Sequence, residues 1–456
     1  MKRSSEANSN VDVPSKKAGA ASNLLEKSVL EQGRVYFTPI GGITVPRQPT
    51  ADEGVVALGL NEIIAAIRPK SSLHLSFLLD FQFLLSSYPQ SLQNTPITLV
   101  VGEKDARDLR EVTSNHKNVT VIGAPLPFPY GVHHSKMSMY LSEDRRLHVI
   151  ISTANITTDD WQFKTQQFYY AVGKIHDKEE DAKRSPFQSD LIEYLGQYRF
   201  LLESWRNLVR RTDFSEVADR LVFSTPGNHR GVPTERLGHP RLRLLLSEMI
   251  QPVSNQTSTE RCTYIAQCSS IGSLGPTPAT WFRGEFLQSI EGGNPSPKNL
   301  PAKMMVIFPS VEDIRRSCQG YSGGVSISYR NKIHRGQQWL QQWMCKWRAQ
   351  NKRRTLAVPH CKSYVKFDQK MPQWQLITSA NLSKAAWGEL KQNGDVLFIR
   401  SYEMGVLITD PKRFNLAFDY PVYPYTSSDE PFTTDKHHMQ PDNFGERWRP
   451  PPRAEF

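Results

Sequence analysis

Two short polar motifs recur in this chain with the same internal spacing, and that recurrence limits the architecture more than any other feature. The first copy is His134-Ser135-Lys136, then Ser152-Thr153-Ala154-Asn155, then Trp161. The second is His360-Cys361-Lys362, then Thr378-Ser379-Ala380-Asn381, then Trp387. Every corresponding position is offset by 226 residues, so His to Lys is 2, His to Asn is 21 and Asn to Trp is 6 in both copies. A lone His-x-Lys carries almost no information, whereas two with identical flanking spacing point to an internal duplication. A duplication that had lost its chemistry would show the same spacing. The repeated polar positions, however, are reactive or phosphate-binding types rather than core types. The expected fold is α/β, a mixed α-β-α sandwich of two similar halves related by a pseudo-twofold, with the site at their interface.

The rest of the sequence fits that frame. At 456 residues and 38% hydrophobic, the chain can bury a large core. No apolar run reaches a membrane span, and residues 77–85 read as a buried core segment. Five cysteines, none in C-x-x-C, suit a reducing compartment and argue against a disulfide scaffold or a cysteine zinc site. The net charge of +11 favours a polyanionic partner, nucleic acid or a phospholipid surface. Lys346, Arg348, Lys352, Arg353 and Arg354 crowd just before the second motif. Residues 1–34 read as a disordered tail. Lys2-Arg3 and Lys16-Lys17 within it have the spacing of a bipartite nuclear import signal, and a lysine-rich tail would give the same pattern. The turn cluster Ser224-Thr225-Pro226-Gly227 divides the remainder into 35–225 and 226–456. Strands are predicted at 97–101, 118–122, 304–308, 396–399 and 406–409, and helices at 190–211 and 337–348.

Strand alternation would point His134 and Lys136 the same way, with Asn155 just past the end of the returning strand. His360, Lys362 and Asn381 would repeat this. Two imidazoles, two ammonium groups and two amides in one cleft suit a phosphodiester. Lys and Asn donate to the non-bridging oxygens. One His attacks phosphorus; the other protonates the leaving oxygen and then activates water. No carboxylate cluster calls for magnesium or calcium. Two histidines could hold zinc, but the neighbouring lysines disfavour a dication. Both imidazoles start near a pKa of ~6.5, yet one must be neutral and the other charged. Their supporting groups should differ, a carboxylate behind one and a neutral amide behind the other.

These residues resemble the phospholipase D superfamily, whose pattern is H-x-K-x4-D. The Asp is missing here, replaced by Leu141 and Phe367. The H-K-N version looks like the tyrosyl-DNA phosphodiesterase family. The stretches at 131–137, 267–275, 378–388 (TSANLSKAAWG) and 399–407 carry the likeness, which runs from about residue 35 to 425. The resemblance implies two phospholipase-D-like halves, with His134 as nucleophile and His360 as general acid/base. Lys136, Lys362, Asn155 and Asn381 would bind the phosphate. Glu403 would support His134, and Gln166 would support His360. Ser326 and Ser383 match positions that contact DNA phosphates, and Tyr130 matches an aromatic that stacks on DNA. The implied substrate is a 3′-phosphotyrosyl DNA end, or one carrying a topoisomerase-derived peptide, on single- or double-stranded DNA. No metal or other cofactor is implied. The expected protein is a nuclear monomer that does not engage membranes. A phospholipase or nuclease of the same superfamily acting on another phosphodiester is the alternative, and a non-catalytic DNA-binding module is a third reading.

Overall fold

The computed structural model describes residues 29–41, 56–250, 262–292 and 302–450. The basic pairs at Lys2-Arg3 and Lys16-Lys17 lie outside them. The tail expected to be disordered through residue 34 is already packed by residue 30. Leu30 is buried, the Gly33 N–H donates to the Tyr170 carbonyl, and Gln32 Oε1 accepts from the Val172 N–H.

The first sheet uses β1 (Val35–Phe37), β2 (Pro69–Leu75), β3 (Ile97–Gly102), β4 (Val119–Ala124), β5 (Met137–Ser142), β6 (Arg146–Ser152) and β7 (Gln167–Ile175). A short β8 (Thr212–Asp213) pairs with β7. The chain continues through β9 (Arg220–Ser224), β10 (Gly227–Arg230), β11 (Thr263–Gln267), β12 (Lys303–Ile307), β13 (Met344–Cys345), β14 (Ser363–Asp368) and β15 (Met371–Thr378). It then forms β16 (Glu389–Lys391), β17 (Val396–Ile399) and β18 (Glu403–Ile408). The first sheet runs β1-β7-β6-β5-β2-β3-β4 and the second β9-β18-β15-β14-β11-β12-β13. These are the same topology: a parallel triplet at one edge, then antiparallel strands to the other. The sparse sequence repeat is therefore a repeat of whole sheets.

That equivalence moves the expected boundary. β9 pairs with β18 and corresponds to β1, so the second half begins with Arg220–Ser224 rather than after it. The strands β10, β17 and β16 form a separate three-stranded sheet. Its β16–β17 hairpin lies between Trp387 and Glu403, where the first half has only the short stretch from Trp161 to Gln166.

The two sheets pack face to face. Ile151 and Tyr169 from β6 and β7 share one core with Ile377, Met404 and Val406 from β15 and β18. On the outer face of the first sheet, the helices Leu60–Ile67 and Phe81–Ser87 bury Ile63, Ile64 and Leu84. The 77–85 segment is helical only from Phe81, where Asp80 caps the helix by accepting from the Phe83 N–H at 3.1 Å. The helix Gly238–Met249 covers the second sheet with Leu242 and Leu245. The repeated Trp161 and Trp387 are buried in the outer cores. They conserve packing, not chemistry, and removing either ring would cost about 3–5 kcal/mol.

Two expected helices are broken. The stretch 190–211 becomes Pro186–Gly196, a 3₁₀ turn at Arg199–Leu202 and Glu203–Arg210, with Arg199 at φ 56°. Leu191, Leu195, Tyr198, Leu202 and Trp205 are all buried, so the apolar stripe survives the break and reads as one helix. Residues 337–348 form a 3₁₀ turn, Gln338–Trp343, and then β13. The C-terminal stretch is irregular but fixed: Phe432 and Trp448 join the second half's core, and Asp442 accepts from the Tyr321 N–H.

Candidate active site

Each His-x-Lys segment lies immediately before a central strand, β5 or β14, and is bonded to the opposite half. The His134 N–H donates to the Tyr402 carbonyl at 3.0 Å, and the His360 N–H to the Thr165 carbonyl at 3.2 Å. Ser135 accepts from the Tyr194 hydroxyl and Cys361 donates to Gln267 Oε1, while the flanking His and Lys, buried as well, turn to the other side. Lys136 Nζ donates to the His134 carbonyl at 2.7 Å, and Lys362 Nζ donates to the His360 carbonyl. The two triplets thus reach one cleft across the sheet–sheet junction, where their charges act on one another.

The asparagines sit on matching turns. Ser152 and Thr378 cap the turns after β6 and β15 through the N–H groups of Ala154 and Ala380. Asn155 Oδ1 accepts from the Leu78 N–H, and Asn381 Oδ1 from the N–H groups of Ser269 and Ser270. Backbone donors fix each amide's oxygen, so the Nδ2 hydrogens remain for a ligand.

The imidazole partners come from the opposite half in both cases. His134 Nδ1 lies 2.9 Å from Glu403 Oε2, whose carboxylate also accepts from the Ser379 hydroxyl. His360 Nδ1 lies 2.8 Å from Gln166 Nε2, whose Oε1 accepts from the Thr153 hydroxyl at 2.6 Å. Glu403 and Gln166 are topological equivalents, since Thr153 and Ser379 occupy the same place in the repeat. The expected contrast of carboxylate against neutral amide is nevertheless corrected. Asp160 Oδ1 stands 2.7 Å from the same His360 Nδ1, and its other oxygen accepts from the Asn155 N–H at 2.7 Å. Both imidazoles therefore face a carboxylate. Gln166 Nε2 is a donor and cannot accept a hydrogen from Nδ1, whereas the ionised carboxylate can. Asp160 holds His360 in the Nδ1–H tautomer, and Gln166 buttresses the ring.

Asp160 was invisible to the repeat because its counterpart is Ala386. The available signal was an acidic pair, Asp159-Asp160, in the first turn after the capping Thr157. Phe77 was also missed. Its ring centroid lies 5.3 Å from that of His134 and 5.7 Å from Lys136 Nζ, so it walls the cleft. Behind the site, His133, Tyr198, Tyr194 and Ser135 form a buried hydrogen-bonded chain that stiffens the first motif.

Burial dominates the electrostatics. It pushes the Lys136 ammonium down to about 7, with repulsion from Lys362 adding to the effect. Lys362 falls to about 8, with Asp160 opposing the drop. Burial lowers both imidazoles, His360 to about 4, against the pull of Glu403 on His134 and of Asp160 on His360. Burial alone would raise Asp160 and Glu403, but His360 and His134 respectively hold them below the usual carboxylate range. Two ammonium groups and two carboxylates balance when both rings are neutral, and the Lys and Asn donors are left to face an anion.

The remaining expected residues are more dispersed. Tyr130 is 80% exposed at φ 61°, four residues before His134. Ser383 is half-buried and its hydroxyl caps the helix Lys384–Trp387, as Thr157 caps the helix of the first half. Ser326 ends a 3₁₀ turn and donates to the Gly323 carbonyl. The basic run before the second motif is largely committed to structure. Lys346 pairs with Asp429 and Arg348 with Asp313, while the fully buried Arg354 donates to the Thr38 carbonyl.

A family model described as tyrosyl-DNA phosphodiesterase matches residues 39–445. A probable tyrosyl-DNA phosphodiesterase of Caenorhabditis elegans is 60% identical over 428 residues, covering 93% of this chain and 94% of the relative. Tyrosyl-DNA phosphodiesterase 1 of Drosophila melanogaster is 31% identical, covering 89% and 75%. A crystal structure of the yeast tyrosyl-DNA phosphodiesterase superposes with a TM-score of 0.65 at 21% identity, covering 88% of this chain and 99% of that one, and shows the shared fold. The doubled sheet, the facing His-Lys-Asn triplets and these matches agree: the chain belongs to the tyrosyl-DNA phosphodiesterase family.

Proposed function

We propose that the chain hydrolyses 3′-phosphotyrosyl DNA ends of the kind left by a stalled type IB topoisomerase, giving a 3′-phosphate. The observation that carries this reading is the facing of two Nδ1-anchored imidazoles across a cleft lined by two lysines and two asparagine amides. With Nδ1–H bound to Glu403, His134 presents an Nε2 lone pair, which attacks phosphorus. The P–O bond to tyrosine breaks, and the phenolic oxygen takes a proton from His360 Nε2. His360 then accepts a proton from water as its oxygen attacks the phosphohistidine, and the P–N bond to His134 breaks.

In the empty cleft His360 binds a proton weakly. A phosphodiester anion placed between Lys136 and Lys362 offsets their repulsion and restores that proton. A phenol, with a pKa of ~10, leaves more readily than a sugar alcohol and asks less of this acid. No step calls for a metal, because Lys and Asn supply the charge stabilisation. Ser383, Ser326 and Tyr130 are proposed contacts to the DNA strand. The assigned place of work is the nucleus, on the basic pairs near the N-terminus, and the working form is a monomer.

Release of tyrosine from a 3′-phosphotyrosyl oligonucleotide in EDTA tests this directly. Full turnover is expected, with no release of choline from phosphatidylcholine. A requirement for divalent metal, or preference for the lipid, contradicts it.

A further inference from the structure

The hairpin of β16 and β17, present only in the second half, carries a surface that the reaction does not use. Phe398 in β17 is half-exposed, and three groups converge on its ring. Phe128 meets it edge-on with centroids 5.1 Å apart, Lys391 Nζ lies 3.9 Å over the ring, and Arg400 Cζ lies 5.5 Å away. In the register of the small sheet, Arg230 and Lys391 flank Val396, and Asn228 and Glu389 flank Phe398. Lys391, Arg400, Arg230 and Asn228 are exposed. The carboxylate on this face, Glu389, is neutralised by Lys384 at 2.6 Å.

This face is continuous with the mouth of the cleft. The N–H groups of Arg400 and Ser401 donate to the carbonyl of Ala385, two residues after Ser383. A Cβ on Gly131 would lie 2.6 Å from the Arg400 carbonyl, so the loop carrying Tyr130 rests against the same segment. Three residues after Gly131 that loop reaches His134. Aromatic rings interleaved with cations are what a single strand of nucleic acid needs: bases stack on the rings and phosphates meet the charges.

We propose that the β16–β17 hairpin is an extended single-stranded DNA platform, on which Phe398 and Phe128 stack bases and Lys391, Arg400 and Arg230 hold phosphates of the strand whose 3′ end lies in the cleft. It rests on the reading of the cleft as a DNA 3′-end site. It adds an upstream tract several nucleotides from the scissile bond, supplied by an element with no counterpart in the first half.

The test compares kcat/KM for thymidine 3′-(p-nitrophenyl phosphate), for 3′-phosphotyrosyl dT4 and for 3′-phosphotyrosyl dT12, in wild type, F398S and the surface variant K391E. Wild type is expected to gain on each lengthening. The variants should lose ~10-fold or more of that gain, in line with ~1–3 kcal/mol per stacked base. K391E should also flatten the salt dependence for dT12 by about 0.7 in log–log slope, one single-strand phosphate contact. Hydrolysis of the mononucleotide reports an intact cleft. If both variants keep the wild-type length gain and salt slope, the platform is overturned and the cleft reading stands. If wild type hydrolyses none of the three, both fall. If a polyglutamate peptide binds wild type, loses binding in K391E, and length dependence is unchanged, the face serves an acidic protein segment and the DNA assignment is wrong.

Discussion

The two halves bring the same His, Lys and Asn set to one cleft and differ in what stands behind the imidazole. Behind His134 is Glu403, at the start of β18, stapled by the Ser379 hydroxyl. Behind His360, the equivalent place holds the neutral Gln166, stapled by Thr153, and a carboxylate is supplied instead from a helical turn by Asp160. One fold duplicated, then reworked at a single layer of contacts, yields two rings with different surroundings. The lesson is that the asymmetry lies in where each carboxylate comes from rather than in whether one exists. Asp160 also accepts from the Asn155 N–H, so the second imidazole is tied to the asparagine turn of the first half.

The sharpest way to separate the two sides is to neutralise each carboxylate. E403Q is expected to slow formation of the phosphohistidine by about 10²-fold, because His134 loses its tautomer anchor. D160N is expected to act chiefly on breakdown of that intermediate, where His360 must take a proton from water, with a loss of about 10-fold or more. Rapid-quench measurement of the two steps checks this. Equal effects of both variants on the same step would erase the proposed difference.

A smaller effect concerns the lysines that both halves share. Both ammonium groups are depressed, to about 7 for Lys136 and about 8 for Lys362. Their charge is lost as pH rises through those values. Affinity for a 3′-phosphate oligonucleotide should therefore fall by about 10-fold or more between pH 6.5 and 9, measured by fluorescence anisotropy. K362M should remove part of that fall. The same shift has a folding consequence. The unfolded chain binds more protons than the folded one from about pH 7 to the free-lysine value of 10.5, so the empty protein gains stability from this group as pH rises across that window. K136M should accordingly raise the melting temperature of the empty protein at pH 7.

The smallest expected difference is between the two helix caps. T157A and S383A should each destabilise the fold by about 1 kcal/mol, read by chemical denaturation. Only S383A should also raise KM for a DNA substrate, if the hydroxyl meets a phosphate as well as the Ala386 N–H.

How much of this was legible in the sequence follows from where the duplication was preserved. The His-Lys-Asn-Trp spacing survived in both halves because each position is fixed by a strand end or a core, and it led directly to the doubled fold. Past the tryptophans the halves diverge: the β16–β17 hairpin separates Trp387 from Glu403, so Glu403 and Gln166 share no common offset and only the family likeness could point to them. Asp160 was filtered out by the same logic, since a search for symmetry discards a residue opposite an alanine. The helix at 190–211 failed for a different reason. Burial of Tyr198 and Leu202 keeps the apolar period while the backbone turns left-handed at Arg199.

The division of labour between the two histidines is tested most directly by trapping. H360A removes the group proposed to activate water while leaving His134, Glu403 and both lysines in place. Incubated with a 3′-phosphotyrosyl oligonucleotide and examined by mass spectrometry after proteolysis, it should accumulate a covalent DNA adduct on the peptide carrying His134. Absence of any adduct in H360A and H134A alike, or an adduct on His360 in H134A, would contradict the assignment.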